Sequence, residues 1–572
     1  MHPVTPLINI KNLSLSFSSD TRNVPALSGV SFQVHKGEVV AIVGESGSGK
    51  SVTSLSILRL LQEPPAVYTS GEIIFKKGDQ EIDLLKLNQQ GMLNIRGNEI
   101  SMIFQEPMTS LNPVITCGGQ VIEAIRLHLN VSKRSARNKT IELFEKVKLP
   151  DPEGMLKRYP HQLSGGQKQR VMIAMAISSN PSLLIADEPT TALDVTVQKS
   201  ILQLIKELQQ QLGMGVIYIT HDLGLVSEIA DKVVVMYKGM IVETGSVSDI
   251  FFNPQHPYTK ALLACRTTNH PKGERLPVVN DFLMVNELSA RPENEVSQLS
   301  PQEDKMVLPP EAGPFLKVTD LKVYFPISKN SFGKTLKELK AVDGVSFEIN
   351  RGETMGLVGE SGCGKTTLGR ALVRLVKPTS GSVYFKEADI ANIPDHMMRR
   401  MRKIIQIIFQ DPYGSLNPRL TIGSSIQEPM KVHQLLQSDR QRKERVMELL
   451  GKVDLKPEHY SRYPHQFSGG QRQRICIARA LSLNPEFIIC DESVSALDIS
   501  VQAQVLNLFN DLKKEFAFTA LFISHDLSVI RYVSDRIIVM NKGKIVETGT
   551  AEDIYENPKE EYTKKLIAAI PG

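Results

Sequence analysis

Short apolar runs of strand length recur along the chain, separated by polar and glycine-rich segments. Helical patterns follow most of these runs, and such alternation is typical of an α/β fold with a parallel sheet. The sequence therefore predicts a buried parallel sheet covered by helices. In the first half, the predicted core strands cover residues 39–43, 183–186, 216–220 and 233–236.

Two further patterns accompany the predicted parallel sheet. Alternating apolar and polar residues near the start of each half predict a small antiparallel sheet. Longer helical patterns further on predict a helical subdomain in each half. The alternating segments cover residues 13–17, 30–32, 321–325 and 345–347, and the helical ones cover about 115–160 and 420–463.

The chain contains this pattern twice. Asp187 and Asp491 stand 304 positions apart, and so do His221 and His525. A chain of 572 residues also exceeds the ~250 to 300 residues at which single cores stop growing. We therefore predict two tandem domains of similar size, which cover residues 1–265 and 315–572.

The residues between the predicted domains, 266–314, are rich in proline and polar side chains. From residue 270 to 314 there are four basic and eight acidic side chains, a net charge of −4. A segment of this composition buries too little apolar surface to offset the entropy of folding. We predict a flexible acidic linker.

A glycine-rich loop follows the first core strand and opens a predicted helix. Backbone N–H groups of such a loop wrap polyphosphate, because glycines remove the side chains that would hold the backbone away. The lysine reaches the β- and γ-phosphates, and the last hydroxyl is offered to Mg2+. The second half repeats the loop. The predicted phosphate-binding residues are Gly44, Glu45, Ser46, Gly47, Ser48, Gly49, Lys50 and Ser51, and Gly359, Glu360, Ser361, Gly362, Cys363, Gly364, Lys365 and Thr366.

Two acidic pairs, Asp187-Glu188 and Asp491-Glu492, each end an apolar strand. The carboxyl ends of parallel strands are where α/β sheets bind ligands. We predict that the first acid of each pair holds Mg2+ and that the second activates an attacking water. The alternative is a pair that merely ends a strand, and the phosphate loop in the same half argues against it.

A Ser-Gly-Gly-Gln sequence opens a predicted helix in each half. Free N–H groups and the helix dipole make such a start a second anion site. Each half then has two phosphate sites but one cradle, so we predict that the halves pack head to tail, with each nucleotide between one loop and the other Ser-Gly-Gly. The residues are Ser164, Gly165, Gly166, Gln167, Ser468, Gly469, Gly470 and Gln471.

Composition excludes several classes of partner. The net charge is only +5, from 67 Lys and Arg against 62 Asp and Glu, so a nucleic-acid footprint is not indicated. Five cysteines without a CxxC pair argue against disulfides and zinc, and indicate a reduced, cytoplasmic protein. The sequence has no signal-peptide pattern and no apolar run of the ~18 to 20 residues that would span a bilayer. A membrane role must therefore come through a partner.

Together these motifs resemble the ATP-binding cassette (ABC) ATPases, with both cassettes fused in one chain. The resemblance covers all but the linker and implies two P-loop domains that bind ATP and Mg2+, each with a parallel core sheet, a small antiparallel sheet and a helical subdomain. The family's Mg2+-contacting glutamine and its γ-phosphate switch histidine have matches in both halves. The implied catalytic residues are Glu188, Glu492, His221, His525, Gln105 and Gln410, and the implied metal ligands are Ser51, Gln105, Asp187, Thr366, Gln410 and Asp491.

Other family positions match as well. Residues 191–194 and 495–498 correspond to the loop that couples the two sites. Phe17 and Phe325 align with the aromatic residue that stacks on adenine, although a core role is an equal alternative. No substitution between the halves removes a catalytic group. Both sites are therefore predicted to hydrolyse ATP, at equal or unequal rates.

The branch of the family is indicated by two pairs of segments. Residues 105–113 and 410–418 are similar to the energising subunits of dipeptide, oligopeptide, glutathione and nickel importers. Residues 253–260 and 557–564 resemble the C-terminal extension of that group, although their Asn-Pro pairs could also cap a helix start.

The resemblance implies an importer ATPase that lies peripherally at the cytoplasmic face of the inner membrane. Its implied partners are two integral-membrane permease subunits and an extracytoplasmic solute-binding protein. Binding of two MgATP closes the cassettes, and hydrolysis reopens them. The rival hypothesis is a soluble tandem-cassette ATPase that acts on ribosomes or nucleic acid. That class predicts a long basic connector, and this linker is acidic.

Overall fold

The computed structural model of the chain describes residues 5–19, 22–105, 110–191, 193–288, 313–329, 335–495 and 497–570. Contacts divide the chain into two compact units. Residues up to 264 form most of the first unit, and residues from 284 onward form most of the second. The intervening chain is shared, with residues 265–278 in the second unit and 279–283 in the first.

The first unit contains ten strands and ten helices among its described residues, together with a 3-10 turn at Pro160–Gln162. Its strands are β1 (Ile8–Ser19), β2 (Arg22–Val34), β3 (Val39–Val43), β4 (Ala66–Lys77), β5 (Gln80–Asp83), β6 (Ile100–Ile103), β7 (Leu183–Asp187), β8 (Gly215–Thr220), β9 (Lys232–Tyr237) and β10 (Met240–Ser246). Its helices are α1 (Lys50–Ile57), α2 (Gln89–Ile95), α3 (Cys117–Leu129), α4 (Lys133–Lys146), α5 (Pro152–Met155), α6 (Gly165–Ala176), α7 (Val195–Leu212), α8 (Leu223–Ile229), α9 (Val247–Phe252) and α10 (Pro257–Ala264).

Two sheets organise the first unit. The larger has the strand order β10-β9-β3-β8-β7-β6, and the smaller has the order β2-β1-β4-β5. Strands β3, β6, β7, β8 and β9 run parallel, whereas β10 pairs antiparallel with β9. Every residue of β3, β7 and β8 is buried. Strands buried on both faces have continuous apolar sequences, which is why these strands were predictable.

Along the chain, a 3-10 turn at Thr267–Asn269 and a helix, α11 (Val279–Leu288), follow α10 and precede the strands of the second unit. The strands that follow are β11 (Leu316–Lys329), β12 (Thr335–Ile349), β13 (Thr354–Val358), β14 (Ser380–Phe385), β15 (Ala388–Asp389), β16 (Ile405–Ile408), β17 (Phe487–Asp491), β18 (Thr519–Ser524), β19 (Arg536–Asn541) and β20 (Lys544–Thr550). The helices are α12 (Lys365–Leu372), α13 (Asp395–Met401), α14 (Ile422–Val432), α15 (Asp439–Lys452), α16 (Gly469–Leu481), α17 (Ile499–Phe516), α18 (Leu527–Val533), α19 (Ala551–Glu556) and α20 (Glu561–Ala568), with 3-10 turns at Pro457–Ser461 and Pro464–Gln466.

The second unit repeats both sheets. Its larger sheet has the order β16-β17-β18-β13-β19-β20, and its smaller sheet has the order β12-β11-β14-β15. The larger sheet is again parallel except for β20, which pairs antiparallel with β19. The predicted α/β architecture, with a parallel core and a small antiparallel sheet in each half, is thus confirmed.

The helical subdomains also occur where predicted. In the first unit, α3 and α4 pack on each other and on α6. Their buried apolar side chains, including Val121, Ile125 and Phe144, belong to the core that also covers one face of the parallel sheet. In the second unit, α14 and α15 pack on α16 in the same way.

The predicted linker, residues 266–314, is described at residues 266–288 and 313–314. Residues 265–278 pack within the second unit, where Leu276 is buried. Residues 289–312 lie outside the described part of the chain. The domain division at 1–265 and 315–572 stays a prediction. The structure shows in addition that residues 265–278 pack within the second unit. Among the described helices, none has the length and apolar character needed to cross a membrane.

Candidate active sites

The motif residues of the first unit meet at one edge of its parallel sheet. Strand β3 leads into the glycine-rich loop, β7 ends at Asp187, and His221 directly follows β8. Gln105 comes two residues after β6. Because the four strands are parallel, their carboxyl ends lie at the same edge. Motifs far apart in the sequence are thereby brought together.

The loop needs glycine where its backbone approaches a neighbouring strand. Gly44 has φ 150°, and a Cβ there would stand 2.2 Å from the carbonyl oxygen of Met236. Gly359 has φ 157°, and a Cβ would stand 2.2 Å from the carbonyl oxygen of Met540. No side chain fits at such distances, so the loop backbone lies directly against the strand.

The loop lysines are buried and point back along the loop. Lys50 Nζ donates to the carbonyl oxygens of Gly44, at 2.7 Å, and of Glu45, at 2.8 Å. Lys365 Nζ donates to the carbonyl oxygen of Gly359 at 2.6 Å. Each ammonium group is therefore held beside the loop that the sequence predicts to bind phosphate.

A hydroxyl and a carboxylate lie together at the start of the helix that follows each loop. Ser51 Oγ donates to Asp187 Oδ1 at 3.2 Å, and Thr366 Oγ1 donates to Asp491 Oδ1 at 3.0 Å. Burial raises the pKa of Asp187 to about 6 and also raises that of Asp491. Asp491 Oδ2 is buried and has no hydrogen-bond partner within the described residues. These oxygen ligands fit Mg2+, which prefers carboxylate and hydroxyl oxygens.

The carboxylate of Glu188 contacts three side chains of the first site. Its Oε2 accepts hydrogen bonds from Gln105 Nε2 at 3.0 Å and Thr191 Oγ1 at 2.9 Å, and lies 3.3 Å from His221 Nδ1. Burial alone would raise the pKa of Glu188, but the hydrogen bond and charge of His221 outweigh it and lower the pKa to about 2. The carboxylate is thus kept ionised in a buried place.

Glu492 occupies the same place in the second site. Its Oε2 accepts from Gln410 Nε2 at 2.9 Å and lies 3.4 Å from His525 Nδ1, while Lys365 Nζ is 3.9 Å from Oε1. The contact with His525 outweighs burial and lowers the pKa of Glu492. Ser495 Oγ donates to the Glu492 backbone carbonyl, whereas Thr191 bonds the carboxylate of Glu188. The two sites therefore differ in one contact to the carboxylate.

Both glutamates have a left-handed backbone. Their φ values are 46° for Glu188 and 48° for Glu492, a conformation that costs a non-glycine residue of order 1 to 3 kcal/mol and is concentrated at functional sites. A backbone hydrogen bond stabilises this conformation in each unit. The Glu188 N–H donates to Ile219 on β8, and the Glu492 N–H donates to Ile523 on β18. The same backbone conformation therefore follows strands β7 and β17 in the two units.

The Ser-Gly-Gly-Gln segments begin helices α6 and α16, as predicted. Ser164 and Ser468 are exposed N-cap residues, and each hydroxyl accepts a hydrogen bond from the backbone N–H of the glutamine three residues later. Residues 192 and 496, within the predicted coupling loops, lie outside the described residues.

The second glycine of this motif also has a packing role, which the sequence reasoning missed. A Cβ on Gly470 would stand 2.2 Å from Val501 Cγ1, and one on Gly166 would stand 2.7 Å from Val197 Cγ1. In contrast, a Cβ on Gly469 would meet Leu497 at an ordinary 3.8 Å. Helix α16 therefore approaches α17 closely at Gly470.

The two aromatic candidates lie in different surroundings. Phe17 is partly buried and packs against the core between the two sheets of the first unit. Phe325 is 39% exposed. Their role in stacking on adenine stays a prediction, and the packing of Phe17 agrees with the alternative core role.

Tyrosines of the predicted C-terminal extension reach the phosphate loops. The backbone N–H of Glu45 donates to the hydroxyl of Tyr258 at 2.9 Å, and that of Glu360 donates to Tyr562 at 3.0 Å. Tyr258 is fully buried and lies against the ring of Tyr237, with 4.3 Å between ring centroids. The repeat of these tyrosines in the sequence marks them as candidates, but it does not indicate the backbone groups that they contact.

A carboxylate fixes each extension in place. Glu243 accepts hydrogen bonds from the backbone N–H groups of Gln255, at 2.7 Å, and His256, at 3.0 Å. Glu547 does the same for Lys559 and Glu560. The Asn-Pro pairs do not start helices, because Asn253 ends α9 and the next helix begins at Pro257.

Comparison with protein families explains this repeated architecture. The family model described as "ABC transporter" matches residues 27–191 and again 342–495. The chain belongs to the ABC transporter family. Both matched ranges contain a loop, a Ser-Gly-Gly motif and an acidic pair, so each unit is an ABC cassette that binds ATP.

The curated relatives match the chain from end to end. It is 48% identical to the glutathione import ATP-binding protein GsiA of Pectobacterium atrosepticum, over 100% of this chain and 90% of that protein. It is also 48% identical to GsiA of Escherichia coli K12, over 99% of this chain and 89% of that protein. Among solved structures, a dimeric bacterial ABC transporter cassette covers 42% of this chain at 29% identity, with a TM-score of 0.38.

The extensions match a second family model, described as "Oligopeptide/dipeptide transporter, C-terminal region", over residues 242–282 and 546–572. Glu243, Tyr258 and their counterparts in the second cassette lie in these ranges. The chain is therefore an ATP-hydrolysing, energy-coupling subunit of an importer in the peptide class, as the sequence predicted.

The tyrosine contacts lead to a first prediction. Replacing Tyr562 with Phe keeps the ring but removes the acceptor for the Glu360 N–H, and one neutral hydrogen bond contributes about 1 kcal/mol. We expect the Tyr258→Phe/Tyr562→Phe double variant to bind a fluorescent ATP analogue roughly two- to tenfold more weakly. Tyr384→Phe, on an exposed tyrosine, is the control and should bind normally. Equal affinity in the double variant would contradict a supporting role for the extension.

A second prediction concerns the packing at Gly470. Gly470→Ala forces a methyl group into Val501, and overpacking of this kind typically costs about 1 to 3 kcal/mol. We expect Gly470→Ala to lower the melting temperature in calorimetry, whereas Gly469→Ala should not. Adding Val501→Ala should restore much of the loss, because it removes the clashing methyl group. If Val501→Ala does not raise the melting temperature of Gly470→Ala, the contact with Val501 is not the cause of the lost stability.

Proposed function

We propose that this chain powers the import of glutathione or a similar short peptide. The observation that carries the proposal is the end-to-end 48% identity to glutathione import ATP-binding proteins, which includes both cassettes and both extensions. Two integral-membrane permease subunits and an extracytoplasmic solute-binding protein are the proposed partners. The chain then lies peripherally at the cytoplasmic face of the inner membrane.

Glu188 and Glu492 are the proposed general bases. A base must be ionised and directed at the attacking water. The low pKa of Glu188 supports the first condition. The hydrogen bonds from Gln105 and Gln410 support the second, because they leave one oxygen of each carboxylate for water. His221 and His525 are the proposed switch residues, since each also reaches the base.

Ser51, Asp187 and Gln105 are the proposed Mg2+ ligands of the first cassette, and Thr366, Asp491 and Gln410 are those of the second. Bound Mg2+ would neutralise charge on the β- and γ-phosphates. The orphaned Asp491 Oδ2 beside the Thr366 hydroxyl supports this assignment. Lys50 and Lys365 now donate to loop carbonyl oxygens. With nucleotide bound, they would donate to phosphate oxygens instead.

Transport follows from differential affinity. Cassettes that bind ATP more tightly when closed are driven closed by ATP and released by hydrolysis, and the permeases follow this change. The exposed helix starts at Ser164 and Ser468 are the proposed further phosphate contacts, because their N–H groups and dipoles favour an anion. In this scheme the ATPase never touches the peptide.

The base assignment predicts a specific loss of activity. The Glu188→Gln/Glu492→Gln variant keeps the shape of both side chains but removes the proton acceptor, a contribution of roughly 100- to 10,000-fold. We expect ATP hydrolysis to fall at least 100-fold while ATP binding persists. Glu81→Gln/Glu387→Gln, on exposed glutamates, is the matched control. Retained hydrolysis in the first variant would reject both bases.

Uptake measurements test the function itself. Cells that lack the chromosomal copy of this protein should regain uptake of radiolabelled glutathione when they express the chain, but not when they express the double Gln variant. Detergent-solubilised double variant with MgATP should co-purify two multi-span membrane proteins. Recovery of ribosomes or nucleic acid instead would support the rival soluble class. Restored uptake of dipeptides but not of glutathione would confirm an importer and correct its substrate.

A further inference from the structure

The chain that leaves the first cassette is fastened to the second. We call residues 265–278 the strap, and it packs within the second unit across helices α17 and α18. The side-chain amide of Asn507 brackets the strap backbone, accepting from the Leu276 N–H at 2.9 Å and donating to the Leu276 carbonyl at 2.8 Å. Leu276 is 1% exposed and Asn507 4% exposed. A buried amide that is hydrogen-bonded through both its oxygen and its nitrogen in this way specifies one position for the strap.

The strap holds helix α18 at its far end. The hydroxyl of Tyr532, in the last turn of α18, donates to the carbonyl oxygen of Glu274 at 2.7 Å. Ion pairs join Lys272 to Asp535, just beyond the helix, and Arg275 to Asp511 on α17. The Arg275 pair is largely exposed, so the neutral hydrogen bonds are the specific contacts.

The strap also reaches the first turn of α18. Thr267 Oγ1 donates to Ser528 Oγ at 3.0 Å, and Ser528 Oγ donates to Asp526 Oδ1 at 2.6 Å. Asp526 is the N-cap of α18 and accepts from the Ser528 N–H at 2.8 Å. The residue before this cap is His525, whose Nδ1 lies 3.4 Å from Glu492. A chain of hydrogen bonds therefore runs from the strap to the residue next to His525.

The first cassette has no equivalent set of residues. The positions that correspond to Asn507, Ser528 and Tyr532 hold Gln203, Gly224 and Glu228. The cap there is Asp222, which accepts from the Gly224 N–H at 2.8 Å, but glycine offers no hydroxyl to a strap. The strap-binding residues are thus a property of the second cassette, although the two cassettes share every nucleotide motif.

We propose that Thr267 and Ser528 are positioning residues for His525, so that the strap sets the turnover of the second ATP site. Helix α18 has only seven residues, and contacts at its two ends determine its orientation. Because His525 directly precedes the cap, a shift of the cap changes the distance between His525 and Glu492. The inference rests on the roles proposed above for these two residues.

The test uses the full-length protein with single substitutions in the hydroxyl chain. Thr267→Val keeps the shape but removes the donor, and we expect kcat for ATP hydrolysis at the second site, measured with Glu188→Gln in the first, to fall roughly two- to tenfold, as for loss of one hydrogen bond. KM for ATP should stay unchanged, because the phosphate loops are untouched. Thr267→Ser should retain the parental kcat, since it keeps the hydroxyl. Thr319→Val, on an exposed strand residue, is the control for the substitution type.

A double-mutant cycle separates positioning from general loss of stability. Ser528→Ala should lower kcat about as much as Thr267→Val, and the double variant should lose no more than either, because both changes break the same chain. All rates are measured well below the melting temperature of each variant. A parental kcat in Thr267→Val, an equal loss in Thr267→Ser, or additive losses would each overturn the proposal. Hydrolysis retained in Glu188→Gln/Glu492→Gln would instead reject the underlying site roles.

Discussion

The contact between each phosphate loop and the backbone of the neighbouring strand is the constraint on which both active sites depend. At Gly44 and Gly359 the loop lies so near a methionine carbonyl that no side chain fits. This contact sets the direction of the loop, and with it the position of the lysine ammonium group and of the hydroxyl that follows. The carboxylates of Glu188 and Glu492 must then lie at the same edge of the sheet.

Parallel strand order brings them there. In each cassette, three neighbouring strands end at the sheet edge where the phosphate loop begins. They are β6, β7 and β8 in the first cassette and β16, β17 and β18 in the second. Each glutamate has a left-handed backbone conformation. One oxygen of its carboxylate contacts both a glutamine and a histidine. Burial raises the pKa of such a carboxylate, but the adjacent histidine and lysine, and Thr191 in the first site, lower it. The ionisation of the site is therefore a balance between desolvation and the neighbouring hydrogen bonds and charges.

The two cassettes share this chemistry but differ around it. Thr191 bonds the carboxylate of Glu188, whereas Ser495 bonds the backbone of Glu492. Only the second cassette carries Asn507, Ser528 and Tyr532 at the positions that hold the strap. The extensions, in contrast, support both loops alike through Tyr258 and Tyr562.

The fold class and the two cassettes could be predicted from the sequence, because phosphate loops, acidic strand ends and fully buried strands have local patterns that repeat at a constant spacing. Those patterns also name candidate site residues, many of which the structure brings together at one edge of each parallel sheet. The packing role of Gly470, the reach of Tyr258 to the Glu45 N–H, and the strap became visible only in the folded chain. Each depends on a contact between residues distant in sequence, and no local pattern encodes which backbone group a tyrosine or an asparagine will meet. The strap shows this most clearly, because its proline-rich, polar sequence predicts flexibility. Asn507, more than 200 positions away, supplies the hydrogen bonds that order it.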